Sequence, residues 1–171
     1  SQELGCNVSL KLENLLPIGS FKLRGALNKV LSLSKEEKSR GVIAASAGNH
    51  AQGVAWSAQR LGVPATIVMP KSAPLVKLQN TRSLGAEVVL EGTSYDEAYA
   101  FAQKLAENSG KIYIHAFDDP LTVAGQGTVG LEILEQAPEV DVILGSIGGG
   151  GLMGGVGTAV KALKDSVELI G

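Results

Sequence analysis

Three short segments of this 171-residue chain carry residue types that suit chemistry better than packing. The first is Ser20-Phe21-Lys22-Leu23-Arg24-Gly25. Ser20 suits a helix N-cap, which puts Lys22 in the first turn of the helix that follows. A cation there opposes the helix dipole, whose N-terminal end is positive. The same positive end disfavours the ammonium form and is expected to lower the Lys22 pKa. A neutral amine attacks an aldehyde to give a Schiff base, so this segment is a candidate for imine chemistry. By position alone, a solvated surface lysine is the commoner outcome.

The second segment is Ser46-Ala47-Gly48-Asn49-His50, between an apolar strand and a helix. Open α/β sheets bind ligands at the carboxyl ends of their strands. The N–H groups of the first helical turn, with the Ser46 hydroxyl, could hold a carboxylate there. Asn49 offers a neutral donor and acceptor, useful beside a phenolic oxygen. The plainer reading is a helix cap. His50 lacks triad spacing, and with only His115 elsewhere it makes a poor metal ligand. The third segment is Gly148-Gly149-Gly150-Gly151-Leu152. Consecutive glycines let backbone N–H groups wrap an anion, and a helix start adds favourable potential. No basic residue lies in the ten positions before it, so a phosphate there would be held by backbone. Gly149, Gly151 and Gly154 also fit the G-x-G-x-x-G dinucleotide fingerprint, with Glu168 downstream. That leaves a nucleotide-binding module as an alternative.

The elements that must position these segments alternate. Strands are expected at Val8–Leu12, Val42–Ala45, Ala65–Met69, Glu87–Leu90, Lys111–His115, Asp141–Leu144 and Val167–Ile170. Helices are expected near Asn49–Leu61, Pro74–Leu84, Tyr95–Asn108, Val123–Gln136 and Leu152–Leu163, with an earlier one burying Leu23, Ala26, Leu27, Val30 and Leu31. Gly62, Gly85 and Gly110 stand where helix C-termini favour glycine. Alternating short strands and helices imply parallel βαβ units. Phe117 and Asp118 follow a strand end and are expected to line a side-chain pocket.

Composition excludes several classes. With 44% hydrophobic and only 4% aromatic residues, the core must be aliphatic. A net charge of −2 without a Lys/Arg run argues against nucleic acid. The single cysteine, Cys6, precludes an internal disulfide and suits a reducing, cytoplasmic compartment. Residues Val142 to Val160 are uncharged, but eight of them are glycine, so a strand, loop and helix are expected there rather than a membrane span. The chain starts at Ser1 without methionine, has no signal-peptide pattern, and stops at Gly171 just after a strand-like run. Both ends read as cuts through a longer protein.

Lys-Leu-Glu-Asn (11–14), Gly-Ser-Phe-Lys-Leu-Arg-Gly-Ala (19–26), Ser-Ala-Gly-Asn-His (46–50), Ala-Gly-Gln-Gly-Thr (124–128) and Gly-Gly-Gly-Gly-Leu (148–152) occur in that order. In this the sequence resembles the threonine dehydratases (threonine ammonia-lyases) among fold-type II pyridoxal phosphate enzymes, with serine dehydratases and serine racemases as near relatives. The resemblance runs over essentially the whole chain. It implies an α/β fold with parallel three-layer α/β sheets of the tryptophan synthase β-like type, incomplete at both ends. Residues 35–117 would form a small lobe, with 1–34 and 118–171 part of a larger one. The cofactor would be pyridoxal 5'-phosphate. Lys22 would form the imine, Phe21 would pack beside the cofactor, and Asn49 would meet the ring hydroxyl. Gly148, Gly149, Gly150, Gly151 and Leu152 would cradle the phosphate. Ser46, Ala47, Gly48, Asn49 and His50 would grip the substrate carboxylate.

The implied reaction is β-elimination from L-threonine or L-serine to a 2-oxo acid and ammonia. The implied partner is a small amino acid, with neither nucleic acid nor membrane, and the intact protein is expected to be a homo-oligomer. Related racemases carry a serine where this chain has Ala47, as a second base on the opposite face of the α-carbon. A methyl group cannot do that work, so Ala47 favours elimination. Racemisation and β-replacement remain the alternatives within the same cofactor class.

Overall fold

The structure is a computed structural model and describes Glu3 and residues 5–171. Within the expected 1–34 segment, Ser1, Gln2 and Leu4 lie outside the described residues. Four parallel strands, β1 (Val42–Ala45), β2 (Ala65–Met69), β3 (Glu87–Leu90) and β4 (Ile112–Tyr113), form a sheet in the order β3-β2-β1-β4. A second, two-stranded parallel sheet pairs β5 (Val142–Leu144) with β6 (Glu168–Ile170). Among the described residues seven α-helices precede or connect the strands: α1 (Lys22–Ser32), α2 (Lys35–Arg40), α3 (Asn49–Leu61), α4 (Leu75–Ser83), α5 (Tyr95–Ser109), α6 (Pro120–Gln136) and α7 (Gly151–Leu163).

The central strands are apolar on both faces, as a sheet covered on both sides requires. Val42, Ala44, Ile67 and Met69 join one buried cluster with Ala26 and Val30 of α1, Ala51, Val54 and Ala58 of α3, and Leu78 of α4. Their neighbours Ile43, Ala45 and Val68 point the other way, onto Ala98, Ala102 and Ala106 of α5. Alanine every fourth residue gives α5 a smooth stripe that sits close on the sheet. A third cluster joins Val129 of α6, Ile143 of β5, Val156 and Val160 of α7, and Val167.

Helix α1 bridges the two sheets. It crosses α6 so closely that a Cβ on Gly125 would lie 2.6 Å from the Gly25 Cα and from the Arg24 carbonyl. Gln126, buried at the same crossing, accepts from the Gly25 N–H at 3.2 Å. Arg24 then ties α1 to two more segments. Its guanidinium grips both Glu13 oxygens at 2.7 and 2.8 Å, both Glu132 oxygens at 2.6 and 2.8 Å, and the Thr128 hydroxyl at 3.0 Å. Lys11 reaches Glu132 from the other side at 2.5 Å. With two cations on it, Glu132 has its pKa pulled down to about 2, chiefly by the Arg24 hydrogen bonds.

Most expected elements appear, with boundaries unchanged (Val42–Ala45, Ala65–Met69, Glu87–Leu90, Asn49–Leu61) or moved by one to three residues. The expected strand Val8–Leu12 does not form: the chain there belongs to no strand, and Leu10 and Leu12 are exposed. The alternation of apolar residues therefore marks no buried face. Helix α2 carries no apolar stripe, so periodicity misses it, but it opens on a capping box in which Ser34 and Glu37 exchange hydrogen bonds. In α1, Leu31 is exposed where burial is expected. Among the described residues, no helix is long and apolar enough to cross a membrane.

Candidate active site

Lys22 is the first residue of α1. The Ser20 hydroxyl accepts from its backbone N–H at 3.2 Å, as an N-cap does, although Phe21 is already helical. The Lys22 side chain is half-buried. Its Nζ lies 5.4 Å from the Phe21 ring centre and donates to the Ala116 carbonyl at 2.8 Å. Its pKa lies below the ordinary lysine value, in the direction expected from the sequence. The cause is burial, however, rather than the helix end.

Ser46 to His50 run from the carboxyl end of β1 into α3. The Ser46 hydroxyl turns back to accept from the Gly48 N–H at 3.1 Å, so that N–H is already used. The N–H groups of the first α3 turn have no intrahelical acceptor. Ala47 is partly buried against the main core. Asn49 is exposed, and its Oδ1 accepts from Lys77 of α4 at 3.0 Å. His50 differs from the rest: its ring is buried, and Nε2 lies 2.9 Å from the Ile114 carbonyl. Burial first, and the Lys22 and His115 charges after it, hold its pKa down to about 4 against the Ile114 hydrogen bond. At neutral pH the ring is uncharged.

The glycine loop lies between β5 and α7. Gly148, Gly149 and Gly150 are exposed, and their N–H groups have no hydrogen-bond acceptor among the described residues. Gly150 has φ +82°, which L side chains rarely adopt. The first intrahelical bond runs from the Gly154 N–H to the Gly150 carbonyl, so the α7 turn before it also presents free donors. The ring of Phe117 packs directly on Gly149, and its backbone lies on Gly151.

Residues 114–117, just past β4, connect the three segments. Ile114 receives His50, Ala116 receives Lys22, and Phe117 covers the glycine loop. Helix α3 meets α1 at Gly53, where a Cβ would stand 3.1 Å from the Lys22 carbonyl oxygen. The sequence points to Phe117 but not to the Ile114 and Ala116 carbonyls or to Lys77. Backbone acceptors carry no residue-type signal. What could have flagged them is position, since they follow the carboxyl end of the strand beside β1. Asp118 is exposed, and its N–H donates to His115 Nδ1 at 2.7 Å. Two cavities lie elsewhere: about 400 Å³ between α6 and α7 and about 130 Å³ beneath α7.

The family model described as "Pyridoxal-phosphate dependent enzyme" matches residues 1–171. The chain belongs to that family. It is 55% identical over 171 residues to an L-threonine ammonia-lyase of Thermotoga maritima, covering all of this chain and 43% of the relative. It is 50% identical over 165 residues to a catabolic L-threonine dehydratase of Staphylococcus aureus, covering 96% and 48%. The chain thus spans about half the length of the curated relatives it matches.

Among solved structures, the processed form of threonine deaminase isoform 2 from Solanum lycopersicum superposes with TM-score 0.96 at 46% identity, covering 98% of this chain and 49% of that one. Maize serine racemase superposes with TM-score 0.90 at 40% identity, covering 93% and 48%. The fold is that of fold-type II pyridoxal phosphate enzymes. The residues present suit that cofactor. A half-buried amine of lowered pKa matches an aldehyde, and a row of unused N–H groups at a helix start matches a phosphate.

Proposed function

We propose that the intact protein carries out pyridoxal phosphate-dependent β-elimination on L-threonine or L-serine, giving a 2-oxo acid and ammonia. The observation that carries this reading is the Lys22 amine, half-buried and held one residue from the ring that covers the glycine loop. The identities to proteins named L-threonine ammonia-lyase support the choice of reaction. The family assignment favours a phosphate of pyridoxal phosphate over a dinucleotide as the guest of the loop.

In this reading Lys22 would hold the cofactor through its aldehyde, and its Nζ would take the α-proton of the substrate. Gly148 to Leu152 hold the phosphate through backbone N–H groups. Ser46 to His50 hold the substrate carboxylate, with donors from the first turn of α3. Asn49 would meet the ring hydroxyl, its Oδ1 accepting from Lys77 in the structure, and Phe21 would lie beside the ring. When bound, the cofactor delocalises the negative charge left on the α-carbon. Ala47 presents a methyl group where inversion of the α-carbon needs a second base, which favours elimination over racemisation.

We further propose that 35–117 form the small lobe, with 1–34 and 118–171 part of the large one. The separation of the four-stranded sheet from β5–β6 supports this division. A reducing cytoplasm fits the single cysteine, and we propose a homo-oligomer for the intact protein.

The test is product analysis of the intact protein with L-threonine and L-serine. The expected products are 2-oxobutanoate, pyruvate and ammonia, with turnover lowered about 10³-fold or more by Lys22→Ala. D-serine as the main product, or incorporation of an added thiol, would overturn elimination.

A further inference from the structure

The His50 backbone belongs to the proposed carboxylate grip, but its ring, buried beside the site, is given no task there. It is 4% exposed and bonds the Ile114 carbonyl through Nε2. Since a carbonyl only accepts, Nε2 carries the proton and Nδ1 is left as an acceptor. That Nδ1 is buried without a hydrogen-bond partner among the described residues. Such an arrangement costs stability unless it serves something else.

Two donors from two helices grip one short segment. His50 of α3 takes the Ile114 carbonyl at 2.9 Å, and Lys22 of α1 takes the Ala116 carbonyl at 2.8 Å. Two residues apart, those carbonyls both turn toward the α1–α3 contact. Gly53, one turn beyond His50, lies against the Lys22 backbone there. Past Tyr113 the segment has one strand-type bond, from the Ile114 N–H to Ile43, and the Ile114 side chain is buried in the core, so the His50 hydrogen bond adds the polar restraint that sets how the Ile114 carbonyl points.

We propose that His50 is a positioning residue for Lys22. Its Nε2–H fixes Ile114, and through it the Ala116 carbonyl that holds the Lys22 amine in place. An imidazolium would keep the Nε2–H bond but would set a second cation beside the Lys22 amine, which the buried neutral ring avoids. The proposal deepens the reading of Lys22 as the aldehyde-binding amine, but its geometric content is independent of any cofactor.

Competitive acetylation of lysines across pH, read by peptide mass spectrometry, tests it on the intact protein without added cofactor. The variants are His50→Gln, which keeps an N–H near the Nε2 position, His50→Asn, which is one carbon short, and His50→Leu. The titratable groups facing His50, namely Lys22 of α1 and His115 past β4, are the same in all three. Loss of the anchor frees Lys22 toward water and raises its labelling midpoint. The expected shift is about half a pH unit or more in the Asn and Leu variants, or about threefold less neutral amine at a fixed lower pH. The Gln variant should stay near the parent, and Lys11 should not move in any of them. If His50→Leu fails to fold, the Gln and Asn pair carries the comparison. An unchanged Lys22 midpoint in the Asn variant, or an equal shift in Gln and Asn, would overturn the proposal. Either outcome leaves the elimination reading to its own product assay.

Discussion

The Lys22 ammonium gains one carbonyl and one ring face in exchange for much of its water. A single neutral acceptor repays little of that desolvation, so the neutral amine is favoured. His50 shows the same effect more strongly, and it makes stability depend on pH. Its folded pKa is about 4, against about 6.5 when unfolded. Between those values the unfolded chain binds the extra proton. The stabilising contribution is therefore complete above about pH 6.5 and lost as pH falls toward 4. Thermal melts at pH 7 and pH 4 should show the parent losing up to about 3 kcal/mol that His50→Gln does not lose. Parallel pH dependence in the two proteins would contradict this. At this scale the sequence names candidate residues but not their partners. The lowered Lys22 pKa is legible as a direction, while its cause is burial created by residues ninety positions away.

At the scale of elements, the path from Lys22 to the glycine loop depends on helices packed at backbone contact. Helix α1 can lie on α6 because Gly25 and Gly125 face each other at the crossing. Gly125→Val would drive a branched side chain into the Arg24 carbonyl, forcing the helices apart. We expect a loss of about 1–3 kcal/mol or more and a Tm lower by roughly 2–12 °C, measured by calorimetry. Because Arg24 follows Lys22 by two residues, the same variant should loosen the grip on Glu13 and Glu132. The βα alternation is readable because glycine ends the helices: Gly62 and Gly110 both adopt left-handed C-caps. Residues 8–12 mislead because alternation carries no information on whether a partner strand exists. Helix α2 escapes because a short, wholly polar helix shows itself only by its caps.

At the scale of the molecule, the two sheets are finished to different degrees. The four-stranded sheet is covered on both faces by helices. The β5–β6 pair leaves Val142, Leu144 and Ile170 exposed, and the α6–α7 groove is lined by small apolar residues. This chain spans about half of its curated relatives, so assembly of the site is best judged on the intact protein.

The account stands on the identity of a single amine. Incubating the intact protein with pyridoxal 5'-phosphate, reducing with borohydride and mapping the peptides tests it most directly. The predicted result is one pyridoxyl group on Lys22, absent from Lys22→Ala. An adduct spread over surface lysines, or one fixed on a different lysine with Lys22 unmodified, would contradict it.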